Sequence, residues 1–209
     1  MLISSAMFMT ALSLFVEIDL VKSSMEKMST IQSHGVVPDV IDVVPPYPVH
    51  VSYGNGVDVD QGNELTPTQV QNEPLKVEWS ANNQTNYTLC MIDPDAPSRA
   101  NPTLGQVLHW VIVNIQGNAI KTGEVLAEYI GSGAPKGTGL HRYVFLVYKQ
   151  PGPLNCDEPR ISNRSREGRI GFSVRMFAAK YNLGQPIAAN FFQAQYDDYV
   201  PKLHEQLSG

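Results

Sequence analysis

Only two cysteines occur in the 209 residues, Cys90 and Cys156, so there is no second pair to build a zinc ligand set or a disulfide framework. The fold is expected to stand without a disulfide. Positive charge is scarce as well: Lys and Arg total 15 against 20 Asp and Glu, a formal net charge of -5. That balance supplies no general attraction for a phosphate polyanion, and nucleic acid is not an expected partner. Signatures of hydrolytic and nucleotide chemistry are missing too. There is no His-Glu-x-x-His helix and no Gly-x-Ser-x-Gly elbow, and the one candidate phosphate loop reads Lys136-Gly137-Thr138, the wrong order for a P-loop. Neither a metal nor a cofactor is expected.

Long apolar runs are limited to one. Residues 2–16 are apolar apart from Ser and Thr, too short to span a bilayer and of the length of a signal-peptide core. Val21 and Ser23 fit the small-residue positions of a cleavage site, and sequons follow at Asn83, Asn86 and Asn163. Against export, no basic stretch precedes the run, and Met25 or Met28 offers a start for a cytosolic form. Both readings of residues 1–24 stand: an unused leader on a cytoplasmic protein, or a signal peptide on a secreted one.

What is present points to one domain of short elements. The chain has 43% hydrophobic residues, with 15 Pro and 16 Gly scattered without period. Short strands are expected over residues 49–53 and 77–79. Stronger ones, rich in β-branched and aromatic residues, are expected over 87–92, 108–115 and 142–148. Ser173 is placed to cap a helix over 174–181 with Gly184 beyond its end. A second helix starts near Pro201 and turns Val200, Leu203 and Leu207 to one face, with His204 beside that stripe.

Three constellations carry chemistry. Asp93-Pro94-Asp95-Ala96-Pro97-Ser98-Arg99 follows an apolar strand, where a rigid turn with Arg99 neutralising a carboxylate competes with a site at the rim of a sheet. His109 sits inside a strand, where a hydrogen-bonded core histidine is the plainer alternative to a titratable donor. The glycine-dense stretch 131–139 runs into His141 and can expose backbone N–H groups as an anion nest, or simply connect two strands. Acid–base hydrolysis, with Asp93 orienting His109 toward a water or Ser98, rests on residue types alone.

These residues carry a resemblance. Asp93 to Arg99, the run Gly131-Ser132-Gly133-Ala134-Pro135-Lys136-Gly137-Thr138-Gly139-Leu140-His141-Arg142-Tyr143-Val144, and the tail from Asp197 to Leu207 closely resemble animal phosphatidylethanolamine-binding proteins, also called Raf kinase inhibitory proteins. The likeness runs from about Gly35 to the C-terminus and includes residues 65–70 and 156–159. It implies a mainly β domain over 35–209, a Greek-key β-sandwich with a few peripheral helices including a C-terminal one. It implies a monomeric binding protein, not an enzyme, with a pocket for phosphatidylethanolamine-like headgroups or small anions and with peripheral membrane contact. Regulation of a kinase cascade, or inhibition of a serine protease by protein binding, is the alternative.

Carried over residue by residue, the resemblance implies ligand contacts from Asp93, Pro97, His109, Gly131, Gly133, Pro135, His141, Tyr143 and His204, with Asp95 and Arg99 bracing the turn behind them. Imidazole and loop N–H groups would hold the anion, so affinity is expected to fall as the rings deprotonate above about pH 6.5. The pattern departs in places. Leu104 and Val107 stand where relatives have an aromatic pair, Leu108-His109 replaces a His-His pair, and His204 replaces a tyrosine. Met176 stands where mammalian members carry a regulatory serine, so no phosphorylation switch is implied.

Overall fold

The structure is a computed structural model and describes residues 30–208; the leader, with both readings of it, lies outside them. Ten strands organise the described chain: β1 Tyr47–Pro48, β2 His50–Gly54, β3 Val57–Asp58, β4 Lys76–Glu78, β5 Asn86–Ala96, β6 Gly105–Gln116, β7 Glu124–Ala127, β8 His141–Lys149, β9 Ile170–Phe172 and β10 Ala188–Ala194. Seven of them form one sheet in the order β1-β10-β8-β5-β6-β7, with β9 added to β6, and β3-β2-β4 form a second. Only β1 and β10 pair in parallel in the large sheet; every other ladder is antiparallel. The protein is mainly β, with the few helices peripheral to the sheets.

The central strands are apolar on both faces because both faces are covered, which is why they read as continuous hydrophobic runs. In β5, Leu89 and Met91 join the core shared with the small sheet, alongside Val51, Val77 and Trp79. Cys90 and Ile92 point the other way, into a second core with Val174 and Phe177. The same alternation sends Tyr143, Phe145 and Val147 of β8 to the first core and Val144, Leu146 and Tyr148 to the second. Both cysteines are free and buried.

The two anticipated helices form. Helix α1, Val174–Lys180, is capped by the Ser173 hydroxyl, which accepts the Met176 N–H, and Gly184 has φ +68 beyond its end. Helix α2, Val200–Gln206, has Pro201 in its first turn and buries Val200 and Leu203.

Two points differ from the sequence reading. β5 does not end at Ile92: it runs on through Asp93 and Asp95 to Ala96, with an irregularity between Asp93 and Ala96 in its pairing with β6. Pro94 has no N–H to give a ladder, so a break at that position is the physically consistent outcome. The carboxylates are therefore part of a strand and buried, Asp93 at 4% and Asp95 at 1% exposure. In addition, β10 lies between β1 and β8. It carries no strong strand signal and was not anticipated.

Candidate functional site

The break in β5 lets Asp93 and Asp95 serve different partners, although residues two apart on a regular strand would face the same way. Asp95 takes three hydrogen bonds from Arg142: the backbone N–H at 2.8 Å, Nε at 2.9 Å and Nη2 at 2.6 Å. Arg142 also donates through Nη1 to Asp39 and to the His34 carbonyl, both at 2.8 Å. Asp95 is thus held in a buried clamp that ties β5, β8 and the residues 34–39 together. Arg99 does not neutralise either carboxylate of the motif; its Nη2 donates to the His34 carbonyl at 2.6 Å.

Asp93 belongs to the other side. One oxygen accepts the Asp95 N–H at 2.7 Å and the other meets His141 Nδ1 at 2.8 Å. The far nitrogen of His141 lies 2.9 Å from the Thr138 hydroxyl, which donates to the Pro135 carbonyl at 2.8 Å. Both ring nitrogens of His141 are thus engaged, one by the carboxylate and one by the hydroxyl. The carboxylate–imidazole–hydroxyl chain has the outline of a nucleophile array. Thr138, however, does not line the cavity described below, and its hydroxyl braces the loop.

His109 is not the partner of Asp93. Its Nδ1 meets the Ile130 carbonyl at 3.1 Å and its ring packs edge-on to Tyr143, centroids 5.1 Å apart. Burial lowers its pKa from 6.5 to about 4, with Asp93 pulling upward and Arg169 pushing down. Above that value the ring is neutral and its one proton is spent on Ile130. The expected loss of affinity above pH 6.5 therefore cannot come from His109. A different pH effect follows: the unfolded chain takes up a proton below pH 6.5 and the native ring only near 4, so stability should fall as pH drops through that window. The contribution is on the order of 3 kcal/mol. Urea melts between pH 7 and 4 should show a shallower acid decline in His109→Gln; an unchanged decline would refute the assignment.

These groups border a cavity of about 230 Å³. Its walls include Asp93, Pro97, His109, Gly133, Pro135, His141 and His204 from the anticipated set, with Leu104, Val107, Ile130, Ile170, Leu203, Leu207, Ser208, Arg166 and Arg169. Gly131 and Tyr143 are not on the wall. Gly131 is small because a Cβ there would stand 2.7 Å from the Val70 carbonyl. Tyr143 lies behind the wall, its hydroxyl accepting the Gly133 N–H at 3.2 Å. That bond removes Gly133 from any anion nest, and the left-handed glycines of the loop are Gly137 and Gly139, at its far end. His204 faces the loop, its Nε2 3.0 Å from the Gly133 carbonyl.

Sequence reasoning missed the two arginines. Arg169 is 1% exposed and has no ion pair among the described residues. Its guanidinium donates to the carbonyls of Ser165, Leu108, Glu128 and Ser162 at 2.8–2.9 Å. Burial lowers its pKa to about 10, with the more distant Glu128 carboxylate pulling back, so the charge persists at neutral pH. One signal was available: four of the 15 basic residues, Arg160, Arg164, Arg166 and Arg169, fall within ten positions.

The comparisons with known proteins agree with this fold. The family model described as phosphatidylethanolamine-binding protein matches residues 55–192, and the chain belongs to that family. A 26 kDa secreted antigen of Toxocara canis is 46% identical over 165 residues, covering 78% of this chain and 62% of the antigen. Among solved structures, the solution structure of CG7054 is 51% identical with a TM-score of 0.68, covering 83% of this chain and 98% of that one. A carboxypeptidase Y inhibitor, solved with its cognate proteinase, is 28% identical with a TM-score of 0.70, covering 83% and 97%.

Proposed function

We propose that residues 35–209 form a binding domain that takes an anionic headgroup of the phosphate class in the cavity beside Asp93 and His141, without bond cleavage. The observation that carries the reading is the charge balance of the wall. Two guanidiniums, Arg166 and Arg169, face one carboxylate, Asp93, and that carboxylate is engaged by His141. A concave, partly apolar space with excess positive charge favours an anion. Catalysis is not part of the reading, since the polar chain from Asp93 ends on a hydroxyl off the cavity wall.

Calorimetric titration of the full chain with inorganic phosphate and with phosphorylethanolamine tests it. Heat is expected from the unaltered protein and none from Val107→Trp, which fills the space, with thermal melts confirming that the variant folds. No heat from the unaltered chain with either compound would overturn the reading.

Two further parts rest on relatives. The secreted antigen supports export, which makes residues 1–24 a signal peptide; mass spectrometry of protein secreted from insect cells should show them removed, and an intact N-terminus would end this reading. The inhibitor–proteinase complex supports a second role, inhibition of a proteinase by protein contact. Undiminished carboxypeptidase Y activity in the presence of excess protein would count against it. Kinase regulation rests on family resemblance alone, and absence of retention in a kinase pull-down would dismiss it.

A further inference from the structure

The polar groups of the cavity wall can be accounted for one by one. His141 is committed at both nitrogens, to Asp93 and Thr138. The proton of neutral His109 goes to the Ile130 carbonyl. His204 faces the Gly133 carbonyl, and the Ser208 hydroxyl donates to the His204 carbonyl. Arg169 divides its five donors among five carbonyls, that of His109 at 3.5 Å included, and offers the cavity a charge but no free N–H. Arg166 remains. Its side chain is exposed at the rim, and among the described residues it has neither a hydrogen bond nor an ion pair. Five guanidinium donors are thus available at one place on the wall, in a planar fork suited to phosphate oxygens.

The rest of the rim restricts what can accompany that anion. Leu104, Val107, Ile170, Leu203 and Leu207 supply aliphatic surface. No aromatic residue other than the histidines lines the space, so no aromatic cage for an ammonium is present among the described residues. Among the described residues the one lining carboxylate, Asp93, is occupied by His141. An aminoalkyl group carried on the phosphate would find two guanidinium charges and, among the described residues, no unengaged acceptor of opposite sign.

We infer that Arg166 is the direct charge contact for the ligand and that the pocket selects a phosphate monoester bearing an aliphatic substituent over a zwitterionic aminoalkyl phosphate. The inference rests on the anion-binding reading above and deepens it. The shared chemistry occurs in the headgroup of a phosphatidic-acid type lipid and in a soluble alkyl phosphate.

Titrations of the full chain with butyl phosphate and with phosphorylethanolamine test it. Butyl phosphate is expected to bind the unaltered protein about fivefold tighter or more, the scale of one partly exposed charge-assisted contact. Arg166→Gln should weaken both esters and erase most of the preference, because it also removes the charge that disfavours the ammonium, and Arg166→Glu should reverse it; the position is exposed and the melts should be unchanged. Equal or tighter binding of phosphorylethanolamine, or an unaltered ratio in Arg166→Gln, overturns the inference while leaving an anion pocket in place. No binding of either compound overturns both. Retention on vesicles containing phosphatidic acid, competed by butyl phosphate, assigns the lipid as source; binding of butyl phosphate without vesicle retention assigns the soluble ester, and either supports the inference.

Discussion

Asp95→Ala is expected to lower stability by about 3–5 kcal/mol, because it leaves the Arg142 guanidinium buried beside no counter-charge within the sheet. Arg142 is 3% exposed and Asp95 is 1% exposed, so water cannot replace what is lost. For a chain of this size the melting temperature should fall by roughly 10 °C. Asp39 keeps one contact with Arg142 but is itself half exposed, at 51% of its side chain, and cannot hold the group alone. The double variant Asp95→Ala with Arg142→Met removes both charges and should recover much of the loss, since a buried ion pair is worth little against an apolar replacement. Denaturant melts of the two single variants and the double variant measure the coupling; simple additivity would show that the clamp is not the source of the effect.

Phe192→Ala should cost a similar amount, about 3–5 kcal/mol. The ring is fully buried, stacks on Tyr143 at a centroid distance of 5.0 Å, and meets Phe145 and Tyr53 at 6.4 Å. Tyr143 in turn receives the Gly133 N–H, so the loss should also be felt at the cavity. Phe192→Leu keeps most of the volume and should cost clearly less. A destabilisation below about 1 kcal/mol for the alanine variant would mean that the site collapses to fill the space, against the close packing drawn above.

Phe192 also shows where reading the sequence stopped. Strands β5, β6 and β8 announce themselves because both of their faces are buried and they are filled with β-branched and aromatic residues. β10, Ala-Ala-Asn-Phe-Phe-Gln-Ala, is just as buried, but its Phe pair is flanked by Ala and Asn, which are depleted in strands, and it has no β-branched residue. Its Asn190 is held by tertiary contacts that no local pattern encodes: Nδ2 donates to the carbonyls of Val49 at 2.7 Å and Val59 at 2.9 Å. The helices were legible for the opposite reason, since a serine cap and an early proline act within one turn.

The wall of the cavity was legible as a collection of residues and not as a set of pairings. Asp93, His109 and His141 do meet there, yet which imidazole the carboxylate holds depends on the break at Pro94. Arg99 lies within the same motif as Asp95 and Arg142 lies 47 residues away, and only the folded register decides that Asp95 takes the distant one. Arg169 has the least local signal: its environment consists of backbone carbonyls from separate segments.

Helix α2 contributes Leu203 and His204 to the cavity wall, with Leu207 and Ser208 just beyond it. It is fastened to the segment carrying Arg166, where Gln206 Nε2 donates to the Asn163 carbonyl at 2.7 Å and Ser208 bridges Ser165. Any peptide, dye or affinity label joined after Ser208 would leave directly from the mouth of the binding site. Ligand measurements on this protein should therefore use an unlabelled C-terminus, and a quenchable fluorophore placed there would report occupancy at close range.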